Sequence, residues 1–278
     1  MAQPTPSLYA LDPALPVLLR PDGAVQVGWS PRRAVLIQPP RGVTAVGLAT
    51  LLRAMHSPVS ISELQRHSDL SAGELDDLLA QLVTAGVATR GARQRPTRSA
   101  SIRVHGRGPL SELLAEGLRC SGARIKQSNQ PHATLTAGDA DLVVLSDNLV
   151  ADPRMLRDLH SQGVAHLAVR VRDGTGLVGP LVVPGVTSCL GCADLHRRDR
   201  DAAWPAVAAQ LRDTVGVADR PTLLATAALA LSQVNRVIGA VRGAESEPPT
   251  SLNATLEFDV HAGSIVVRQW PKHPLCSC

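Results

Sequence analysis

Four of the five cysteines in this 278-residue chain fall into two close pairs, Cys189-Leu190-Gly191-Cys192 and Cys276-Ser277-Cys278. Each pair can bring two thiolates to one cation, and two pairs that converge make a tetrahedral four-sulfur site. Zn2+ held by four cysteines has no open coordination position, so such a site is structural rather than catalytic. The spacing predicts one zinc ion that ties the 276–278 segment to the middle of the chain. Cys120 stands alone in a helical pattern and is expected in the core.

A second candidate is the run His105-Gly106-Arg107-Gly108-Pro109-Leu110-Ser111. It lies between a strand pattern and a helix pattern, where a phosphate-binding turn sits. Gly106 and Gly108 match the first two glycines of GxGxxG, but Ser111 stands at the third. Pro109 suits a first helical turn and removes one amide that an anion would use.

The elements that must position these residues are readable in outline. Apolar residues make up 44% of the chain and aromatics 2%, so any core is built from Ala, Leu and Val. Lys126 and Lys272 are the only lysines, and the net charge of +4 is too mild for a dedicated nucleic-acid binder. Residues 1–19 lack a basic start and a continuous apolar run, so no secretion signal is expected. The apolar stretch 221–240 is broken by Ser232, Gln233, Asn235 and Arg236 and reads as a buried helix. A cytoplasmic protein with no membrane span is expected, and there paired thiols point to metal before disulfide.

Residues 1–90 read as three strands (17–20, 24–28 and 34–37) and then three helices. Pro21-Asp22-Gly23 suits a tight turn. The helices cover 43–55, a segment opened by Ser60-Ile-Ser-Glu63, and 72–85 behind Ser71-Ala-Gly-Glu74; both serine-led motifs read as capping boxes. The third helix carries Leu75, Leu79 and Leu82 on one face. This is the outline of a winged-helix-like unit. Residues 91–100 are rich in Arg, Pro and Ser and read as a linker. From Ser101 onward strands and helices alternate, which predicts a parallel sheet with helices on its faces, closed by a long helix and a final hairpin.

With these motifs in view, a resemblance becomes specific. Gly179–Pro205 contains Val-Pro-Gly-Val-Thr-Ser-Cys-Leu-Gly-Cys-Ala-Asp-Leu-His-Arg-Arg-Asp, and Trp270-Pro-Lys-His-Pro-Leu-Cys-Ser-Cys278 ends the chain. Together with Asp141–Asn148 they resemble the ThiF-like partner proteins of azole-forming cyclodehydratases. Residues 101–278 are similar to ubiquitin-activating-enzyme-type α/β domains of degenerate Rossmann-like form. Residues 17–90 resemble a PqqD-like peptide recognition element.

The resemblance implies a leader-peptide-binding scaffold, itself non-catalytic, that serves a separate YcaO-type cyclodehydratase. The leader would add as a strand and pack near Leu75, Leu79 and Leu82. A homodimer is expected on the same ground. His196, Arg197, Asp199 and Trp204 would be either a face for docking the partner enzyme or a brace behind the metal ligands. Active ThiF-type enzymes hold a ribose with a carboxylate after the second strand, but here Gln127, Ser128 and Asn129 follow it. Only Asp147-Asn148 keeps a plausible magnesium position, so Gly106, Gly108 and Asp147 are expected to be vestigial. The first alternative is an adenylating enzyme of the ThiF/MoeB type. The second is a DNA-binding regulator, disfavoured because Glu74, Asp76, Asp77 and Gln81 on the third helix would repel phosphate.

Overall fold

The computed structural model describes residues 7–92, 98–130, 138–243 and 247–278. The chain divides into two compact units, Met1–Arg95 and Pro96–Cys278.

In the first unit, β2 (Val17–Leu19), β3 (Val25–Val27) and β4 (Val35–Ile37) form an antiparallel sheet in the order β2-β3-β4. The turn at Pro21-Asp22-Gly23 closes as expected, with Gly23 at φ +82° and the Asp22 carboxylate accepting from Ala24 N at 3.1 Å. Helices α1 (Ala45–Ala54), α2 (Ile61–Arg66) and α3 (Ala72–Thr84) follow. Ser71 and Glu74 make the full reciprocal capping box on α3. Ser60 caps α2 through Glu63 N, so α2 has half of the expected box.

A second small sheet was not foreseen. β1 (Ser7–Leu11) lies between β5 (Val59–Ser60) and β6 (Ala88–Ala92), antiparallel to both. Gly91 and Ala92 therefore extend a strand instead of opening a linker, and residues 93–97 of that expected linker lie outside the described residues. Leu75, Leu79 and Leu82, expected at a peptide groove, are at most 1% exposed. They pack in the core with Leu48, Leu52 and Met55. A side chain so enclosed offers no surface to an incoming peptide, and this corrects the expected groove.

In the second unit a seven-stranded sheet has the order β13-β12-β11-β10-β9-β7-β8. β7 (Ser101–His105), β8 (Arg124–Ser128), β9 (Leu142–Ser146) and β10 (His166–Arg172) are parallel. β11 (Thr175–Val182), β12 (Ala254–Asp259) and β13 (Ser264–Gln269) continue it antiparallel; β12 and β13 are the expected final hairpin, and β11 is the strand that joins it to the parallel part. The positive φ values of Asp173-Gly174 let β10 turn straight back into β11 without a crossover helix.

One face of this sheet is covered by α4 (Pro109–Leu118) and α8 (Arg220–Val241). The other carries α5 (Pro153–Ser161) and α6 (Leu190–Arg200), with α7 (Trp204–Leu211) following α6. Of the described residues, α8 alone is long and apolar enough for a membrane span by composition. It buries Leu223, Ala227, Ala230, Val234 and Ile238 against the sheet and α4. Cys120 is exposed, not core: α4 ends at Leu118, so Cys120 falls in the turn beyond it.

Candidate metal centre and a closed glycine loop

The segment after β11 delivers Cys189 as the N-cap of α6, and Cys192 lies one turn along. Cys192 N donates to Cys189 Sγ at 3.4 Å. The chain after β13 returns Cys276 and Cys278 to the same place. Sulfur separations are 3.8 Å for Cys189–Cys192, 3.5 Å for Cys189–Cys276 and 3.4 Å for Cys192–Cys278. All four sulfurs lie within 4.8 Å of one another. A zinc ion at about 2.3 Å from each of four sulfurs needs them roughly 3.8 Å apart, so the set fits.

The electrostatics also call for a cation. Burial pushes the Cys189 thiol well up, reinforced by the Cys276 and Cys192 thiols beside it. Burial also opposes the Cys192 thiolate, yet backbone amides of His273 and Cys189 and the neighbouring thiols bring it to about 7. Four thiolates at this spacing need a divalent ion to offset their mutual repulsion.

Behind the sulfurs, α6 clamps the C-terminal segment. His273 is buried, and its Nδ1 accepts from Leu275 N at 3.1 Å. Its Nε2 therefore carries the hydrogen and donates to Asp199 Oδ2 at 2.8 Å. His196 Nε2 donates to Pro271 O at 3.1 Å, and its ring meets His273 edge-on at 4.8 Å. Arg197 binds Asp194 at 2.8 Å and lies against both Trp204 and Trp270, at 5.1 and 5.0 Å. His196, Asp199 and His273 also cluster closely enough to hold a metal, but each is engaged in hydrogen bonds within the clamp. Trp270 and His273 received no role from the sequence, although both lie in the same C-terminal motif as the cysteines.

The glycine loop has a different geometry from a phosphate cradle. Asp147, just past β9, is 1% exposed, and its two carboxylate oxygens accept from Leu110 N at 2.9 Å and Ser111 N at 3.2 Å. Those are the free amides at the start of α4, where an anion would bind. A Cβ on Gly106 would lie 2.5 Å from Ser146 O, and one on Gly108 would lie 2.7 Å from Asp147 Oδ1. Both glycines thus make room for Asp147 and the end of its strand. Ser111 Oγ closes the loop by donating to Gly108 O at 2.7 Å. Asn148 Nδ2 donates to Arg212 O at 2.9 Å. Arg107, Arg154, Arg170 and Arg212 border a cavity of about 320 Å³ beside the loop, so cations are present there that the order of the sequence did not reveal.

No family model and no curated protein matches this sequence. Solved structures do. The heterocyclase TruD aligns with a TM-score of 0.66 at 15% identity, over 98% of this chain and 42% of that one. The chain thus spans about two fifths of TruD. MccB from E. coli, solved with ATP, aligns at 0.62 and 14% identity over 97% of this chain and 99% of its own. The microcin C7 biosynthetic enzyme MccB with N-formylated MccA aligns at 0.61 and 13% identity, with the same coverage. The likeness is one of fold: this chain shares its architecture with MccB along its length and with part of the TruD heterocyclase.

Proposed function

We propose that this chain is a non-catalytic scaffold that binds the leader of a ribosomally made precursor peptide and presents it to a YcaO-type cyclodehydratase. The observation that carries the non-catalytic half is the Asp147 carboxylate on the amides of Leu110 and Ser111. A triphosphate brought there would meet a buried carboxylate in place of free donors, and the two like charges repel. Zinc in the four-cysteine site holds the C-terminal segment to α6 and takes no part in chemistry. MccB, of similar fold, is solved with ATP and with N-formylated MccA, and TruD is a heterocyclase; these likenesses support the reading.

The peptide half rests on the sheet β2-β3-β4, which has two edges. Arg53 donates to Val17 O at 2.8 Å and so occupies an acceptor on β2, leaving β4 as the open edge. Leu36 on β4 and Trp29 before it are exposed apolar side chains. An extended peptide paired to β4 would cover them. The test is reconstitution: a precursor peptide, a YcaO-type enzyme and ATP, with and without this chain, followed by mass spectrometry for loss of water from the peptide. Conversion should depend on this chain, while the chain alone should consume no ATP. ATP consumption by the chain alone with its peptide would favour the adenylating alternative.

A further inference from the structure

Arg170 is a buried charge with no partner named above, and it borders both the cavity beside the glycine loop and a second one next to α6. Along β10 the side chains alternate: Leu167, Val169 and Val171 join the cluster under α4 and α8, while Ala168 packs on the opposite side with Cys189 and Cys192. Arg170 shares the face of Ala168. There a residue that packs would be apolar, yet the position holds a guanidinium 8% exposed. It makes no hydrogen bond or ion pair with any described residue. Burial, and then the nearby Arg197, lower its pKa to about 10 against the attraction of Asp194, so it stays charged at neutral pH.

Arg170 lines a cavity of about 370 Å³, at the small end of ligand pockets, which span roughly 300–1,000 Å³. Five arginines and three acidic residues border it, an excess of two positive charges. Two acidic groups of the lining are already engaged in hydrogen bonds with other residues. Asp194 accepts from Arg197 and from Trp204 Nε1, and Glu257 accepts from Arg268 while facing Arg172 at 3.8 Å. The fork of Arg170 is left over. The remaining wall is apolar, with Leu149, Leu156, Leu190 and Leu211 beside Trp204 and Trp270.

We propose that this cavity binds a carboxylate carried on a short apolar stem, with Arg170 as its anchor. A planar guanidinium matches a carboxylate through two parallel hydrogen bonds, and the desolvated setting strengthens both. The leucine wall then covers the stem, which bare phosphate lacks. The carboxylate belongs either to an acidic side chain or to a free chain terminus. The proposal does not rest on the leader edge, which lies in the first unit, although Arg197 and Trp204 of its lining belong to the α6 face that the scaffold reading offers for docking.

The experiment is calorimetric titration of the full chain with four probes: N-acetylglutamate α-amide, N-acetylleucine, N-acetylleucinamide and inorganic phosphate. At least one carboxylate should bind saturably and roughly tenfold or more tighter than the neutral amide, and Arg170→Met should weaken it by a similar factor. Preference for the glutamate probe assigns an acidic side chain; preference for N-acetylleucine assigns a chain terminus. Arg170→Met should melt at the same temperature as the parent or higher, because a buried charge with no partner among the described residues has been removed. Binding of neither carboxylate, tighter binding of phosphate, unchanged affinity in the variant, or a melting point several degrees lower would each overturn the proposal.

Discussion

The carboxylate of Asp147 accepts the amide hydrogen of Leu110 at 2.9 Å, with the second oxygen on Ser111 N. A strand end and a helix start, 36 residues apart, are joined at the free amides where a helix N-terminus could otherwise hold an anion. Asp147→Ala would orphan two buried amides at once. It is expected to cost about 2 kcal/mol in denaturant unfolding, and Asp147→Asn, which keeps one acceptor, about half of that. The parent should give no heat with ATP and magnesium and no pyrophosphate exchange. A micromolar ATP affinity in calorimetry would show that the cavity bordered by Arg107, Arg154 and Arg212 binds nucleotide despite Asp147.

The metal centre makes a second, separable prediction. Protein purified without chelator should contain one zinc per chain by elemental analysis. Cys276→Ser should lose it and melt at lower temperature. Asp199→Ala touches no sulfur but frees His273, whose backbone borders Cys192. It should weaken zinc affinity by roughly 10–100-fold in a chelator competition. Unchanged affinity would return Asp199 to a surface role and favour the docking reading of α6.

What the sequence disclosed follows from the range of the interactions involved. The two cysteine pairs, the Ser71–Glu74 box and the Pro21-Asp22-Gly23 turn are each written within four residues, and each was readable. β1 was not, because Leu8 finds Ser60 on one side and Gly91 on the other, partners that no local pattern announces. The burial of Leu75, Leu79 and Leu82 was legible as an apolar stripe, but a stripe does not say whether a core or a ligand covers it. Asp147 read as the end of a strand near a glycine loop, and only the fold shows that its carboxylate fills that loop. Arg170 was invisible for the opposite reason. In the run His-Leu-Ala-Val-Arg-Val-Arg nothing marks the first arginine as buried until α6 is seen to cover that face.

His166 carries a prediction about acid. It is fully buried, its Nε2 has no partner among the described residues, and burial lowers its pKa from 6.5 to about 4. Below pH 6.5 the unfolded chain takes up this proton and the folded one does not, so stability falls as pH drops and the loss is complete near pH 4. The full span is on the order of 3 kcal/mol. His166→Leu should flatten that part of the pH profile, measured by urea unfolding between pH 7 and 4.5. Parallel slopes for the two proteins would mean that the acid lability comes from groups other than His166.

The last prediction concerns the peptide edge. Gly28 N bonds to Pro16 O and Arg20 N to Ala24 O, so the even-numbered positions of β2 point their backbone groups at β3. With Leu18 opposite Gln26, the groups of Gln26 face β2, and those of Val25 and Val27 face Ile37 and Val35 on β4. By the same alternation Leu36 directs its amide and carbonyl away from the sheet. An added strand would take both, which makes Leu36 the point of attachment. Leu36→Pro removes that outward amide without touching the ladder to β3, and proline is tolerated at an edge. It should reduce the affinity of a fluorescently tagged leader by about tenfold in anisotropy measurements on the full chain, with little change in melting temperature. Leu36→Ala, which keeps the amide and loses the side chain, separates backbone pairing from apolar contact. Equal loss in both variants would assign the affinity to the leucine side chain, and no loss in either would move the leader to another surface.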